Sequence, residues 1–189
     1  MEDIILVGYG GHAKSVADSV KRAKKYRIVG YTDIEQQNSD YHYLGTDEVL
    51  PKYFEKGVKN AVIGIGYLGK GDLRQQLYWK LKKIGYDLPI IIDPSAIISS
   101  SAVIEEGTFV GKGAIVNAEA LIGKMTIINT KALVEHECEV GDYSHVAVGA
   151  VLCGQVEIGE ACLIGANATI IQGRKIESRK IVPAGVVVR

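Results

Sequence analysis

The chain has 189 residues, room for one domain or two small ones, and its 22 Lys and Arg balance its 22 Asp and Glu to a net charge of zero. A neutral chain lacks the general electrostatic surface of a protein that binds nucleic acid or anionic membranes. Without an apolar stretch of roughly 18 residues or a positively charged leader, it is expected to be cytoplasmic and not inserted in a membrane. Its three cysteines lack CxxC spacing and fit reduced thiols rather than a disulfide framework.

The first half of the chain alternates strand-like and helix-like segments. Short apolar runs predict parallel strands at residues 4–7, 27–32, 61–65 and 87–92. Apolar residues at helical spacing predict helices at residues 12–26 and 71–84, the second closed by Gly85. Strands that alternate with helices are typical of a parallel sheet covered by helices. We therefore predict a small Rossmann-like α/β domain over residues 1–93.

A six-residue repeat begins at Ala96 and continues without an insertion. The third place of every hexad is Ile, Val or Leu, and the first place is mostly Ala, Thr, Ser or Cys. Three short strands per turn of a triangular coil explain this pattern, with the aliphatic residue pointing inward and a glycine or small polar residue after it where the chain bends. A β-sandwich does not hold an unbroken six-residue register. The repeat predicts an all-β parallel β-helix of about five coils over residues 94–189.

Two motifs, together with the hexads, resemble the hexapeptide-repeat acyltransferases, whose repeats form a left-handed parallel β-helix. The loop 8–14 (GYGGHAK) looks like the opening loop of the subfamily that modifies bacterial surface sugars. Residues 129–145 look like that subfamily's catalytic segment. The subfamily includes sialic acid O-acetyltransferases and N-acetyltransferases of nucleotide-linked amino sugars. The resemblance implies a left-handed coil, acetyl-CoA as co-substrate, no metal, and a homotrimer with active sites between subunits.

The glycine-rich loop also has a second interpretation. Gly8, Gly10 and Ala13 follow a strand and open a helix, and Asp33 lies about 20 residues further on, as in dinucleotide-binding proteins. An NAD-binding oxidoreductase is therefore an alternative. The first domain lacks a second mononucleotide-binding half, and a β-helix follows instead of a catalytic domain. We interpret the loop as a site for the phosphates of a nucleotide sugar, with UDP favoured; a tight turn without a ligand remains open.

Several residues of both domains are candidates for binding the sugar nucleotide. The resemblance places His12 where the sugar and acyl sites meet, although a histidine there could equally cap or pack the helix. Asp33 is a candidate for the base or ribose, or a solvated strand end. The candidate substrate-binding residues are Gly8, Gly10, Gly11, His12, Asp33, Gly64, Gly66 and Asn129.

His136 is the candidate catalytic residue. It takes the fifth place of its hexad, at a corner of the coil and not in the core. Acetyl transfer needs a base, and an imidazole changes charge near neutral pH. The resemblance assigns His136 as the base and Glu137 as the carboxylate that orients it.

The acyl-CoA side is assigned from the resemblance and from coil arithmetic. One turn of the coil is 18 residues, so the residue that stacks on His136 is Gly154. The resemblance places the Gly154 N–H on the thioester carbonyl as an oxyanion donor. His145 and Gly173 are the other candidates for binding acyl-CoA. Cys138 occupies the small first place of its hexad, as a packing residue and not as a nucleophile or metal ligand.

The chain departs from the family pattern at two places. Asp93-Pro94-Ser95 stands where relatives often have His-Pro-Ser, and relatives commonly continue beyond the position of Arg189 with a tail that helps to hold coenzyme A. The favoured function is acetyl-CoA-dependent acetylation of the amino group of a nucleotide-linked amino sugar in bacterial surface-glycan synthesis. The alternatives are a sialic-acid-type sugar O-acetyltransferase, an NAD-binding oxidoreductase and a non-catalytic trimeric scaffold.

Overall fold

A computed structural model describes residues 1–66 and 72–189 of the chain. The chain divides into two compact units, Met1–Pro89 and Ile90–Arg189. The first is a parallel sheet with helices and the second is a parallel β-helix, which confirms the predicted fold class. The second unit begins at Ile90, four residues before the boundary expected from the hexads. In the described part of the chain, no helix combines the length and the apolar character needed to cross a membrane.

The first unit is built on a four-stranded parallel sheet. Its elements are β1 (Glu2–Val7), α1 (Gly11–Ala23), β2 (Tyr26–Thr32), β3 (Tyr43–Gly45), a 3₁₀ turn (Asp47–Val49), α2 (Leu50–Glu55), β4 (Asn60–Ile63) and α3 (Leu73–Ile84). The strand order is β3-β2-β1-β4. Strand β1 is central, and its last four residues are fully buried because a parallel strand is covered on both faces.

The predicted strand at residues 87–92 is wrong. Asp87 forms a single parallel bridge with Asn60, and Ile91–Ile92 instead forms the first strand of the β-helix, β5. Pro89 separates the two pieces because it has no N–H to donate to a continuous ladder. The predicted start of the second helix at Gly71 lies outside the described residues. Gly85 ends α3 with a φ of 113°, which confirms the predicted cap.

The second unit forms three flat faces of short parallel strands. Face 1 contains β5 (Ile91–Ile92), β8 (Phe109–Val110), β11 (Ile127–Ile128), β14 (His145–Val146), β17 (Leu163–Ile164) and β20 (Ile181–Val182). Face 2 contains β6 (Ile97–Ile98), β9 (Ile115–Val116), β12 (Leu133–Val134), β15 (Val151–Leu152), β18 (Thr169–Ile170) and β21 (Val187–Val188). Face 3 contains β7 (Val103–Ile104), β10 (Leu121–Ile122), β13 (Glu139–Val140), β16 (Glu157–Ile158) and β19 (Lys175–Ile176).

Neighbouring strands of each face are 18 residues apart in the chain and pair in register, as the hexads predict. The chain therefore turns three times per coil. We call the turn between faces 1 and 2 corner A, the turn between faces 2 and 3 corner B, and the turn between faces 3 and 1 corner C. In the coil that contains His136, these corners are residues 129–131, 135–137 and 141–143.

The interior of the β-helix is filled from two places of each hexad. Third-place residues such as Val134 and Leu152 and first-place residues such as Cys138 and Cys162 are at most 2% exposed. Each fully buried Val or Leu contributes about 1.5–3 kcal/mol relative to an exposed one. Burial raises the pKa of the Cys138 and Cys162 thiols, as expected for packing residues.

Two backbone features recur at the corners: a left-handed conformation at the sixth place of the hexad and glycine at the fourth place. From Gly107 onward, sixth-place residues adopt a left-handed conformation, whether glycine, as at Gly149, or not, as at Glu137. We expected glycine at the fourth place of a hexad because the chain bends there, but the structure gives a different reason for glycine at this place. A Cβ at Gly141 would lie 2.7 Å from the backbone nitrogen of Glu160 in the next coil. These glycines allow close stacking of successive coils.

Candidate active site

The glycine-rich loop connects β1 to α1, as predicted. Gly8 is buried with a φ of 83°, and a Cβ there would lie 2.6 Å from the side chain of Ile65. A Cβ at Gly64 would lie 2.5 Å from the carbonyl oxygen of Gly8, so these two glycines let the strand ends approach each other. Gly10 and Gly11 instead face open space. Gly10 at the N-cap has no side chain to cap α1, and no acidic residue lies in the first turn of this helix, which suits an anion at this end.

Asp33 holds this loop from the end of β2. Its Oδ2 accepts a hydrogen bond from the Tyr9 N–H at 2.8 Å, and its Oδ1 accepts one from the Ile34 N–H at 2.7 Å. Asp33 is therefore not merely a solvated strand end. Each carboxylate oxygen can accept a further bond, so a ribose hydroxyl could also bind here. No sequence signal indicated the bond to Tyr9, because the two residues are 24 positions apart.

His12 lies in the first turn of α1 beside Gly66, whose added Cβ would be 3.5 Å from the His12 Cβ. Burial, and secondly the positive charge of Arg74, lower the pKa of His12 to about 4. The imidazole is therefore uncharged near neutral pH. Arg74 is only 9% exposed on α3, although no sequence pattern distinguishes it from the other polar residues of that helix.

His136 and Glu137 form a hydrogen-bonded pair at corner B, in agreement with their expected proximity. The His136 Nδ1 lies 3.0 Å from the Glu137 Oε2, and both side chains are about half exposed (47% and 48%). A carboxylate can only accept, so Nδ1 carries a proton, and in the neutral ring Nε2 keeps a lone pair. Glu137 adopts a φ of 57°, a conformation that costs a non-glycine residue about 1 kcal/mol. This backbone turn brings its side chain beside the ring.

Glu135 connects corner B to the preceding coil through a hydrogen bond. Its Oε2 accepts hydrogen bonds from the His136 N–H at 3.2 Å and from the Asn117 Nδ2 at 3.1 Å. Asn117 is 18 residues earlier, in the equivalent place of the preceding coil. Sequence reasoning missed this support for His136, although the spacing of 18 residues could have found it.

Gly154 stacks on His136, as coil arithmetic predicts. A Cβ at Gly154 would lie 2.5 Å from both Cε1 and Nε2 of His136, so only glycine leaves room for the ring. In the coils below, the equivalent N–H groups of Ala118 and His136 donate to the side chains of the residues before them. The residue before Gly154 is Cys153, which has no such acceptor. Within residues 1–66 and 72–189, the Gly154 N–H has no hydrogen-bond partner.

Gly173 lies in the same corner, two coils above Glu137. It has a φ of 66°, faces open space, and donates its N–H to the Gly154 carbonyl at 3.0 Å. Corner B therefore contains a column of four predicted residues, His136, Glu137, Gly154 and Gly173.

Asn129 and His145 lie elsewhere on the coil. Asn129 is at corner A and His145 is on the outer side of face 1. The Asn129 Nδ2 is 3.0 Å from the His145 Nε2, while the Asn129 Oδ1 accepts the Thr130 N–H at 2.8 Å. Two residues that the sequence assigned to different ligands are therefore in direct contact. Within one chain, neither residue is at corner B, where His136 lies.

In the described residues, no three His, Cys, Asp or Glu side chains group in a way that could hold a metal ion. The described sheet of the first unit has four strands and no second mononucleotide-binding half, which does not favour the NAD interpretation.

Known proteins share both halves of this architecture. Residues 3–81 match the PglD N-terminal domain family. UDP-N-acetylbacillosamine N-acetyltransferase of Bacillus subtilis (strain 168) is 32% identical over 113 residues, which are 58% of this chain and 51% of that protein. The match thus spans about half the length of this curated relative.

Solved structures of acetyltransferases match the whole chain. A mutant of GDP-perosamine N-acetyltransferase from Caulobacter crescentus, in complex with CoA and GDP-perosamine, is 33% identical with a TM-score of 0.94, over 100% of this chain and 89% of that one. The acetyltransferase domain of PglB from Neisseria gonorrhoeae FA1090, in complex with acetyl coenzyme A, is 29% identical with a TM-score of 0.92, over 100% and 91%. This chain belongs to the left-handed β-helix, hexapeptide-repeat acetyltransferases, in the nucleotide-amino-sugar N-acetyltransferase group.

Proposed function

We propose that this protein transfers an acetyl group from acetyl-CoA to the amino group of a nucleotide-linked sugar, in the cytoplasm, for bacterial surface glycans. The observation that carries the proposal is the His136–Glu137 pair stacked on Gly154, whose N–H has no partner in the described part of the chain. This arrangement provides a base and an oxyanion donor side by side, which acyl transfer requires. The names of the Bacillus and Caulobacter relatives support a nucleotide-linked amino sugar as acceptor and CoA as the acyl carrier.

The reaction proceeds by direct attack. The sugar nitrogen attacks the thioester carbonyl carbon while the His136 Nε2 takes its proton, and the Gly154 N–H stabilises the oxyanion that forms. The tetrahedral intermediate then collapses, the C–S bond breaks, and the thiolate of CoA receives the proton from the imidazolium. Glu137 accepts a hydrogen bond from the Nδ1 proton, which leaves Nε2 as the basic nitrogen before the attack and stabilises the imidazolium that forms afterwards. The nearby Cys138 does not serve as a nucleophile, because it is buried and its thiol pKa is raised.

The first unit binds the nucleotide part of the acceptor in this proposal. The exposed backbone of Gly10 and Gly11 at the start of α1 suits the diphosphate, and Arg74 adds positive charge near the same end of the sheet. His12, which is uncharged near neutral pH, adds no positive charge at the start of α1. Asp33 fixes the loop and remains able to accept a ribose hydroxyl.

The β-helix is proposed to act as a homotrimer. The outward residues of face 2 are apolar apart from one threonine: Ile97, Ile115, Leu133, Val151, Thr169 and Val187. Ile97 and Val187, at the two ends of this face, are 65% and 51% exposed. Face 3 instead carries Glu139, Glu157 and Lys175 beyond its first strands. A second copy that covers face 2 would border corner B, and would bring its own residues, such as Asn129 and His145, to His136.

The test is CoA release in the presence of acetyl-CoA and a panel of UDP-, GDP- and dTDP-linked amino sugars, with free sialic acid as the O-acetylation arm. We expect release with at least one amino sugar and an N-acetyl product by mass spectrometry. Release with sialic acid alone would establish the O-acetyltransferase alternative, and no release with any acceptor would reject the proposal. An active monomer by light scattering would contradict the shared site.

A further inference from the structure

Gln155 lies directly above Glu137 at corner B, one coil further along the chain. Its backbone N–H donates to the His136 carbonyl oxygen at 2.9 Å. Its side-chain Nε2 lies 3.3 Å from the Glu137 Oε2, the oxygen that also holds the His136 Nδ1 proton. Gln155 therefore contacts both members of the candidate catalytic pair, through its backbone and through its side chain.

The orientation of the Gln155 amide follows from its partners. The Glu137 carboxylate can only accept hydrogen bonds, so Gln155 must turn its NH₂ toward it and its Oε1 away. Gln172 completes the arrangement, because its Nε2 lies 3.3 Å from that Oε1. The chain of hydrogen bonds thus runs from Gln172 through Gln155 and Glu137 to His136.

A half-exposed glutamate needs such support. Glu137 has several rotatable side-chain bonds, and ordering a long side chain of this kind costs up to about 2 kcal/mol. The bond from Gln155 favours the one rotamer in which Oε2 faces His136. Since proton abstraction requires Nε2 to be unprotonated and correctly aimed, the position of Glu137 sets the fraction of productive base.

We propose that Gln155 is a positioning residue of this active site, which acts on His136 through Glu137, with Gln172 orienting its amide. The inference rests on the proposed acetyl transfer. It predicts that the length of the Gln155 side chain affects kcat and leaves the KM values for acetyl-CoA and the sugar nucleotide unchanged.

The test variant is Gln155→Asn in the full chain. Gln155 has a φ of 61°, which asparagine tolerates well, so the variant should fold at least as stably, but its amide is one methylene too short to reach Glu137. We expect kcat to fall roughly fivefold, the size of one exposed hydrogen bond to a charged group. Ala161→Asn is the matched control, because Ala161 holds the same hexad place with a φ of 52° at corner C.

A double-mutant cycle separates positioning from a structural role. In the Glu137→Ala background, Gln155→Asn should cost nothing further, because the side-chain contact with Glu137 is already absent and the backbone hydrogen bond to His136 is the same in both variants. An equal loss in both backgrounds, or an unchanged kcat in the single variant, would overturn the inference. If the wild-type protein acetylates no acceptor, the proposed function fails first, whereas an active wild type with an unaffected Gln155→Asn removes this inference alone.

Discussion

The two units of this chain hold their candidate residues by different kinds of contact. In the β-helix, corner B is contacted from the coils on either side of it. Gly154 lies against His136 from the next coil, and Asn117 binds Glu135 from the preceding coil, each at a separation of 18 residues. In the first unit, Tyr9 is bound by Asp33 and His12 is influenced by Arg74, at separations that follow no period. A substitution in the β-helix should therefore affect the residue 18 positions earlier or later in the chain. A substitution in the first unit acts through contacts that only the folded structure reveals.

The largest loss of activity is expected from a substitution in the β-helix. His136→Ala should lower kcat by about 10²–10⁴, the usual contribution of a general base. The side chain is half exposed, so the thermal unfolding midpoint should not change. CoA release and circular dichroism on the same sample check both statements. Retained CoA release would show that His136 is not the base, whereas no release from the wild type would favour the non-catalytic scaffold.

Gly154→Ala tests the spacing rule itself. The new methyl group would lie 2.5 Å from the His136 ring and must displace it, so kcat should fall about 100-fold, the lower end of what a general base contributes. Cys153→Ala, at the preceding residue, is the control and should retain activity. If Gly154→Ala is as active as the control, the ring does not depend on the coil above it.

His12 predicts a pH dependence of stability in the first unit. Its folded pKa of about 4 lies below the ordinary value of 6.5, so the unfolded chain binds the proton more readily. The stability that it contributes is complete above pH 6.5 and is lost as the pH falls toward 4, by at most about 3 kcal/mol. Urea unfolding of the wild type and of His12→Gln at pH 7.5 and pH 5 should show a smaller decrease for the variant. Equal decreases would show that His12 is solvated.

Asp33→Asn should have the smallest effect. Asparagine can still accept from one N–H but presents an NH₂ to the other, so the loop should lose about 1–2 kcal/mol of stability. We expect the KM for the sugar nucleotide to rise about fivefold at unchanged kcat. Glu35→Gln, an exposed change two residues away, should alter neither. A large loss of kcat with Asp33→Asn would mean that the first unit contributes to the chemical step.

Much of the β-helix could be predicted because its contacts repeat. The inward packing of Cys138 and the stacking of Gly154 on His136 both follow from the hexad number alone, and the structure agrees with them. The same rule would have found Asn117 and Gln155 had it been applied to Glu135 and Glu137. The contact between Asn129 and His145 was missed because it joins a corner to a face at a separation of 16 residues.

The first unit was predicted less well. Strand β3 and helix α2 are short and lack a clear period, and the apolar run before Asp93 was assigned to the wrong unit. Asp33 was identified by its distance from the glycines, but its bond to Tyr9 depends on how the loop folds back over the end of β2. Arg74 carries no motif at all.

The sequence by itself determined the triangular coil, its register and the alignment of His136 with Gly154, because parallel strands stacked in register bring residues one period apart into contact. Only the tertiary structure decided which hydrogen bonds the corner side chains form, how deeply His12 and Arg74 are buried, and that Asp33 serves the loop. Those properties depend on rotamers and on segments distant in sequence, which compete for the same donors and acceptors once the backbone is folded.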